Sequence, residues 1–280
     1  MSGFVTLRII VCKSARMTSI DFVKYHGTGN DFILIDNRQG KVVMDQEEIA
    51  LLCHRRFGIG ADGLMLLLSS AEHDFEMKYY NADGREGSMC GNGGRCISAF
   101  ATDLGIVKDV ARFSAIDGVH TARISHLAEG ARQVVVSLNE VEEINRLRDP
   151  AFVLDTGSPH YVRFVQDLEG IDVSQKGRSI RWDSRFAPGG INVNFVQQTG
   201  KTLRVSTFER GVEDITLSCG TGVTACALAA SAELGNGPHS WNISTAGGEL
   251  EVTFVKNDGI YSDIWLKGPA VRVVAGTRTR

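Results

Sequence analysis

The sequence lacks any run of 18 to 20 apolar residues, the length that a membrane-spanning helix needs. The apolar N-terminal stretch, residues 4–11, is short and is interrupted by Arg8. A signal peptide would add a basic region before such a stretch and small residues at a cleavage site after it. We therefore expect a cytoplasmic protein without a membrane partner. Residues 1–16 are interpreted as an N-terminal extension, because Met17 stands just before the first convincing strand.

Long runs of one charge are also missing. The 30 basic and 33 acidic residues are interleaved, giving a net charge of −3 and an isoelectric point near 6.2. Because nucleic-acid-binding and membrane-surface proteins usually carry a basic patch, this balance favours a small-molecule partner and no nucleic acid. With 280 residues, 43% of them hydrophobic, the chain has the composition of a globular protein of one large or two smaller domains.

No two cysteines have the Cys-x-x-Cys spacing of a thiol oxidoreductase, and the gaps between neighbouring cysteines do not match a zinc site. We therefore predict no metal, and reduced thiols in the cytoplasm instead of a disulfide framework. Four cysteines are expected to be small buried residues of the core, while two have a repeated context that sets them apart. The first group is Cys12, Cys53, Cys96 and Cys226, and the second is Cys90 and Cys219.

An internal repeat organises the chain. Residues 90–93 (Cys-Gly-Asn-Gly) return as residues 219–222 (Cys-Gly-Thr-Gly), and residues 28–30 (Thr-Gly-Asn) return as residues 156–158 (Thr-Gly-Ser). Each cysteine motif precedes a run of small and apolar residues that ends in Leu-Gly, the pattern of a helix with a glycine stop. We predict two homologous halves, residues 17–137 and 138–263, with a last strand in residues 264–280 that returns to complete the first half.

The pattern within each half is rich in strands. Apolar runs predict strands at residues 32–35, 64–68, 75–80, 161–165, 191–196, 203–208 and 250–255. Helices are predicted at residues 46–56, 95–104 and 224–234. The expected fold class is therefore α/β (α+β), with two pseudo-symmetric domains. Each is a curved, mixed sheet packed around one helix that starts at its cysteine.

Cys90 and Cys219 are predicted to lie where a glycine-rich turn enters a helix. Unpaired amides and the positive end of the helix dipole favour a thiolate there and can hold a substrate carboxylate. If a pseudo-two-fold axis makes the two helix starts face each other, one sulfur lies on each side of a bound α-carbon. One thiolate can then remove the α-proton while the other thiol protonates the opposite face. A structural pair of cysteines and a redox pair remain as alternatives.

Seven motifs give the chain a resemblance to the diaminopimelate epimerase family, from about residue 21 to residue 276. These are residues 24–32 (KYHGTGNDF), 80–84 (YNADG), 89–96 (MCGNGGRC), 157–160 (GSPH), 192–195 (NVNF), 209–212 (ERGV) and 218–222 (SCGTG). The resemblance implies two barrel-like domains, each with a mostly antiparallel or mixed sheet around a central helix, and a site in the cleft between them. It also implies cofactor-independent interconversion of LL- and meso-2,6-diaminopimelate, on the route to lysine and peptidoglycan, and a homodimer.

The resemblance also implies roles for particular residues. Cys90 and Cys219 match the two acid–base cysteines, the first protonating and the second abstracting in one direction, and His160 and Glu209 match residues beside the reacting centre. The implied substrate contacts are Asn30, Asn81, Gly91, Asn92, Asn192, Glu209, Arg210, Gly220 and Thr221. Two positions depart from the family, which commonly has asparagine in place of Ser158 and often glutamine in place of Gly63. Both departures concern contacts with the distal end of the substrate.

Two other functions remain open at this stage. A proline or hydroxyproline racemase of the same superfamily also pairs two cysteines, but its substrate has no second amino-acid end for the asparagines, Glu209 and Arg210 to bind. A binding protein or redox sensor could keep the fold and use the thiols as a switch. Turnover of diaminopimelate or proline, and α-proton exchange in D₂O, separate these alternatives.

Overall fold

The computed structural model describes residues 19–127, 130–148 and 150–279, so the predicted extension at residues 1–16 lies outside the described part. The strands are β1 (Ser19–Gly27), β2 (Asn30–Asp36), β3 (Gly63–Leu68), β4 (Phe75–Asn81), β5 (Val110–Ala115), β6 (Gly118–His126), β7 (Ala131–Leu138), β8 (Ile144–Arg146), β9 (Ala151–Asp155), β10 (Pro159–Phe164), β11 (Asn192–Thr199), β12 (Thr202–Glu209), β13 (Asp214–Thr216), β14 (Gly237–Thr245), β15 (Gly248–Asn257) and β16 (Ile260–Thr279). The helices are α1 (Gln46–Cys53), α2 (Gly91–Asp103), α3 (Val173–Arg181) and α4 (Gly220–Ala230).

The strands form two barrel-like sheets that share β16. In the first half the order is β1-β2-β3-β4-β5-β6-β7-β16, and pairing of β16 with β1 closes the barrel. In the second half the order is β8-β9-β10-β11-β12-β14-β15-β16, with β13 added on β12. Most neighbours are antiparallel, while β2–β3, β4–β5, β10–β11 and β12–β14 are parallel. The predicted fold class, two pseudo-symmetric halves of mixed sheet around a helix, is confirmed.

The unbroken apolar runs of β2 and β3 reflect burial on both faces of the sheet. Phe32 and Leu34 of β2 point into the central core around α2, whereas Ile33 and Ile35 join a second cluster with α1. Strand β3 alternates in the same way: Met65 belongs to the central core, whereas Leu64 belongs to the second cluster. Because successive side chains of a strand point to opposite faces, a continuous apolar sequence is needed when both faces are covered.

Each barrel encloses one helix that is rich in small residues, although α2 also buries Arg95 and Phe100. All side chains from Gly91 to Ala101 of α2 are buried, and so are those from Gly220 to Ala229 of α4. An eight-stranded barrel leaves little interior space, so glycine, alanine, serine and cysteine are the residues that let a helix lie there. Cys96 and Cys226 are fully buried within these helices, and Cys53, the last residue of α1, is also buried, as core cysteines would be. Cys12 lies outside the described residues.

The helices differ from the sequence-based prediction in their bounds and in their number. Helices α2 and α4 begin four residues earlier than predicted, directly after the cysteines. Helix α1 ends at Cys53 instead of residue 56, and α4 ends at Ala230 instead of residue 234. Helix α3 was not predicted, because its sequence is mostly polar and contains Gly177. It packs on the outer face of the second sheet, where Gly177 leaves room for Phe208 of β12. No helix within the described residues is both long and apolar enough to span a membrane.

Candidate active site

The first turns of the two central helices meet between the two halves. Cys90 is the N-cap of α2 with φ −115° and ψ 115°, and Cys219 is the N-cap of α4 with φ −116° and ψ 113°. A Cβ atom on Gly220 would lie only 3.0 Å from Gly91 Cα, so the two backbones touch at the residue that follows each cysteine. The repeat seen in the sequence therefore becomes two matching helix starts that face one cleft.

This cleft has a volume of about 290 Å³ and is lined mainly by polar residues from both halves. Eleven of the twelve site residues implied by the resemblance line it, and His160 does not. The lining residues are Asn30, Tyr79, Asn81, Glu86, Gly87, Ser88, Met89, Cys90, Gly91, Asn92, Ser158, Asn192, Glu209, Arg210, Ser218, Cys219, Gly220 and Thr221. No group of three His, Cys, Asp or Glu side chains in the described part of the chain is arranged to hold a metal ion.

Neither thiol forms a disulfide, and burial favours the protonated form of both. The N–H of Gly93 donates to Cys90 Sγ at 3.4 Å, and Cys219 Sγ lies 3.5 Å from Thr221 Oγ1. The sequence indicated a lowered pKa for both, but burial raises the pKa of Cys90 to about 11 and that of Cys219 further still. Loss of hydration of the thiolate outweighs the helix-start amides, because the sulfurs lie deep in the cleft.

His160 is fully buried behind the cleft, and Thr221 connects it to Cys219. The side-chain amide of Asn194 donates to His160 Nδ1 at 3.1 Å and to the Tyr161 carbonyl at 3.0 Å, which fixes the amide orientation. His160 Nε2 therefore carries the proton and lies 3.0 Å from Thr221 Oγ1. Burial and, to a lesser extent, the Arg210 charge lower the pKa of His160 to about 3, so the ring is neutral. His160 therefore interacts with Cys219 only indirectly, through the hydroxyl of Thr221.

Three of the asparagines bind other parts of the protein. Asn92, fully buried, donates to Asn30 Oδ1 at 3.2 Å and to the Ser218 carbonyl at 2.9 Å, which ties the two halves together. Asn192 accepts the N–H of Arg210 at 2.9 Å. The side chain of Asn81, by contrast, has no hydrogen bond to a described residue. These contacts indicate that Asn30, Asn92 and Asn192 position the cleft, whereas Asn81 is open to a ligand.

Glu209 and Arg210 bring one negative and one positive group to the cleft. Within the described part of the chain, neither side chain forms a salt bridge with another residue, although both line the cleft. Burial raises the pKa of Glu209 to about 7, the Thr216 hydroxyl opposes this rise, and the negative charge of Asp62 adds a smaller increase. A carboxyl and a guanidinium that form no salt bridge with a described residue complement the ammonium and carboxylate groups of an amino acid.

The pH dependence of activity should show the titration of Glu209. Below about pH 7 the carboxyl is protonated and no longer attracts an ammonium group, so kcat/KM for an amino-acid substrate should fall about tenfold per pH unit on the acidic side. Glu209→Gln should lower kcat/KM and abolish this acidic limb in profiles measured from pH 5.5 to 8.5. Glu86→Gln, which changes another carboxyl of the same cleft, is the control that should keep it. An unchanged limb in Glu209→Gln would assign the titration to another group.

Several cleft residues were not identified from the sequence. Tyr79, Glu86 and Ser88 stand near recognised motifs and Met89 and Ser218 begin two of them, but nothing in their spacing points to a ligand. Of the two departures from the family, Ser158 lines the cleft and its hydroxyl lies 3.1 Å from His160 Nε2. Gly63 does not line the cleft and is covered by the ring of Tyr79. These contacts of Ser158 and Gly63 are visible only in the tertiary structure.

Comparisons with known proteins agree with the motifs. The family model described as diaminopimelate epimerase matches residues 22–141 and 152–273. A diaminopimelate epimerase of Flavobacterium psychrophilum is 47% identical over 251 residues, which cover 88% of this chain and 95% of that protein.

Solved structures share the fold at low sequence identity. A PhzF-family phenazine biosynthesis protein of Bacillus anthracis has a TM-score of 0.76 at 14% identity, covering 94% of this chain and 100% of that chain. A hydroxyproline epimerase of Agrobacterium vitis, with bound trans-4-hydroxy-L-proline, has a TM-score of 0.71 at 13% identity and covers 94% of this chain and 93% of that chain. At these identities the likeness concerns the fold alone.

Proposed function

Because this chain belongs to the diaminopimelate epimerase family, we propose that it interconverts LL- and meso-2,6-diaminopimelate, with Cys90 and Cys219 as acid and base. The observation that carries the proposal is the matching pair of N-cap cysteines on two facing helices. The reaction needs no cofactor in this scheme. Its product serves lysine and peptidoglycan synthesis, as the resemblance implies.

The chemistry is a proton exchange at one carbon. The thiolate of Cys219 takes the α-proton and becomes a thiol, the electron pair remains on the substrate as an enolate, and the Cys90 thiol protonates the opposite face. Cys90 is then the thiolate, and the reverse reaction begins from it. Amides at the starts of α2 and α4 supply donors for the substrate carboxylate and the developing enolate charge. Helix-start amides are already directed at this space, so little reorganisation is needed.

The remaining groups hold the substrate and the base. Arg210 binds a carboxylate, and ionised Glu209 binds an ammonium group. Thr221 accepts the Nε2–H of neutral His160 and donates its own proton to the thiolate of Cys219. In this way His160 favours the thiolate through the threonine and without contact with the substrate. The raised thiol pKa values mean that substrate binding, which brings an ammonium group into the cleft, is expected to accompany deprotonation.

The test is conversion of substrate in D₂O. Reduced protein incubated with LL-diaminopimelate should give meso-diaminopimelate with deuterium at the α-carbon, and L-proline and trans-4-hydroxy-L-proline should show neither exchange nor inversion. Turnover of proline or hydroxyproline without turnover of diaminopimelate would reject the substrate assignment. Absence of α-deuteration of any of these amino acids by the reduced protein would favour a binding protein or redox sensor. Glu209 and Arg210 favour diaminopimelate, since a cyclic imino acid has no second amino-acid end.

A further inference from the structure

The ring of Tyr79 lies in a slot between two glycines. A Cβ atom on Gly63 would lie 2.5 Å from Tyr79 Cε2 and 3.0 Å from its hydroxyl oxygen, and a Cβ on Gly87 would lie 2.6 Å from Cε1. Such distances are too short for real contacts, so the ring can occupy this place only because both positions lack a side chain. Phe32 packs edge-on against the ring, with centroids 6.0 Å apart. The position of the tyrosine is therefore fixed from three sides.

The hydroxyl of Tyr79 lies in the space that a side chain at position 63 would occupy. Tyr79 lines the cleft together with Glu209 and Asn81, and none of the described residues forms a hydrogen bond with its hydroxyl. A half-buried phenol in a polar cleft usually has a partner, because leaving it without one is costly. An unpartnered hydroxyl held rigidly at the edge of a ligand site is therefore available to a ligand.

The charges around this hydroxyl determine which ligand group suits it. Burial raises the pKa of Tyr79 well above its ordinary value, and the negative charges of Glu209 and Asp62 add to the rise. The phenol therefore stays protonated and neutral. The carboxylates of Glu209 and Asp62 favour a cation over a further carboxylate as the partner of this hydroxyl. The phenol oxygen can accept a hydrogen bond from that cation.

We propose that Tyr79 and Glu209 together form the subsite for an ammonium group of diaminopimelate, with the tyrosine hydroxyl replacing a side chain that Gly63 does not supply. The inference rests on the proposed function. It assigns a substrate contact to a residue outside the cysteine and asparagine motifs that carry the family resemblance. It also explains how glycine can replace the family's usual glutamine at position 63, because the Tyr79 hydroxyl supplies a polar group in its place.

The variant Tyr79→Phe tests this, because it keeps the ring in its slot and removes only the hydroxyl. A hydrogen bond to a charged group is worth about 1.5–3 kcal/mol, so KM for diaminopimelate should rise about 10- to 100-fold while kcat changes much less. The melting temperature should stay close to that of the wild type. Tyr80→Phe is the matched control, since Tyr80 is the next residue of β4 and packs against the other core cluster.

The results separate this inference from the proposed function. A raised KM in Tyr79→Phe with an unchanged KM in Tyr80→Phe would support it. Wild-type turnover of diaminopimelate with a KM for Tyr79→Phe within twofold of the wild type would overturn the subsite and leave the proposed function intact. A wild type without turnover of diaminopimelate would remove the proposed function itself. An equal rise of KM in both tyrosine variants would indicate a general effect on β4 and would also overturn the subsite.

Discussion

Replacing Cys90 or Cys219 with alanine is expected to lower the rate of epimerisation by about 10²- to 10⁴-fold, the range that a single acid–base group contributes. Each sulfur serves one face of the α-carbon, and the part of the chain that the structure describes offers no other thiol in the cleft. Neither residue can therefore replace the other. The rate of conversion of LL-diaminopimelate to the meso form, followed by chiral separation of the products, is the measurement.

Cys53→Ala is the matched control for this prediction. Cys53 ends α1, is buried in the second core cluster and does not line the cleft, so its loss removes a thiol without touching the proposed chemistry. Its activity should remain within about twofold of the wild type at temperatures where the variant is folded. Substantial epimerisation by either Cys90→Ala or Cys219→Ala would show that one thiol suffices and would contradict the two-base scheme.

Adding a single methyl group where the two halves touch should impair both stability and catalysis. In Gly220→Ala the new Cβ would lie 3.0 Å from Gly91 Cα and 3.0 Å from the Asn92 backbone nitrogen. Both are backbone atoms of the other half. Backbone cannot move aside as a flexible side chain can, so the helix starts must separate by a few tenths of an ångström. We expect the free energy of unfolding to fall by about 1–3 kcal/mol and kcat to fall about 10- to 100-fold.

The control for this variant is Gly235→Ala, which follows α4 on the surface. No atom lies within 4 Å of a Cβ placed there, so the same substitution should leave both quantities nearly unchanged. Chemical denaturation and steady-state kinetics on the two variants supply the comparison. Wild-type activity in Gly220→Ala would mean that the distance between the helix starts does not control the reaction.

Much of this architecture could be predicted from the sequence, because it depends on local patterns that repeat. The apolar runs of β2, β3 and β11 indicated strands, and the two Cys-Gly-x-Gly motifs indicated helix starts and placed the cysteines at them. Prediction failed where tertiary packing overrides local preference. The polar helix α3 is stabilised by packing on β11 and β12. Its sequence is mostly polar, so hydrophobic periodicity did not predict a helix there. The first turns of α2 and α4 are rich in glycine, which disfavours a helix. The predicted helices therefore began four residues too late, although the motifs placed both cysteines near a helix start.

The sequence by itself determined the duplicated plan, the pair of cysteines and the family. The tertiary structure alone decided the pKa values of the thiols, the indirect link from His160 to Cys219 and the slot that holds Tyr79. The reason is physical: periodicity and motifs report contacts between near neighbours in the chain. Desolvation and close packing depend on atoms brought together from distant positions, such as Gly63, Tyr79 and Gly87 around one ring.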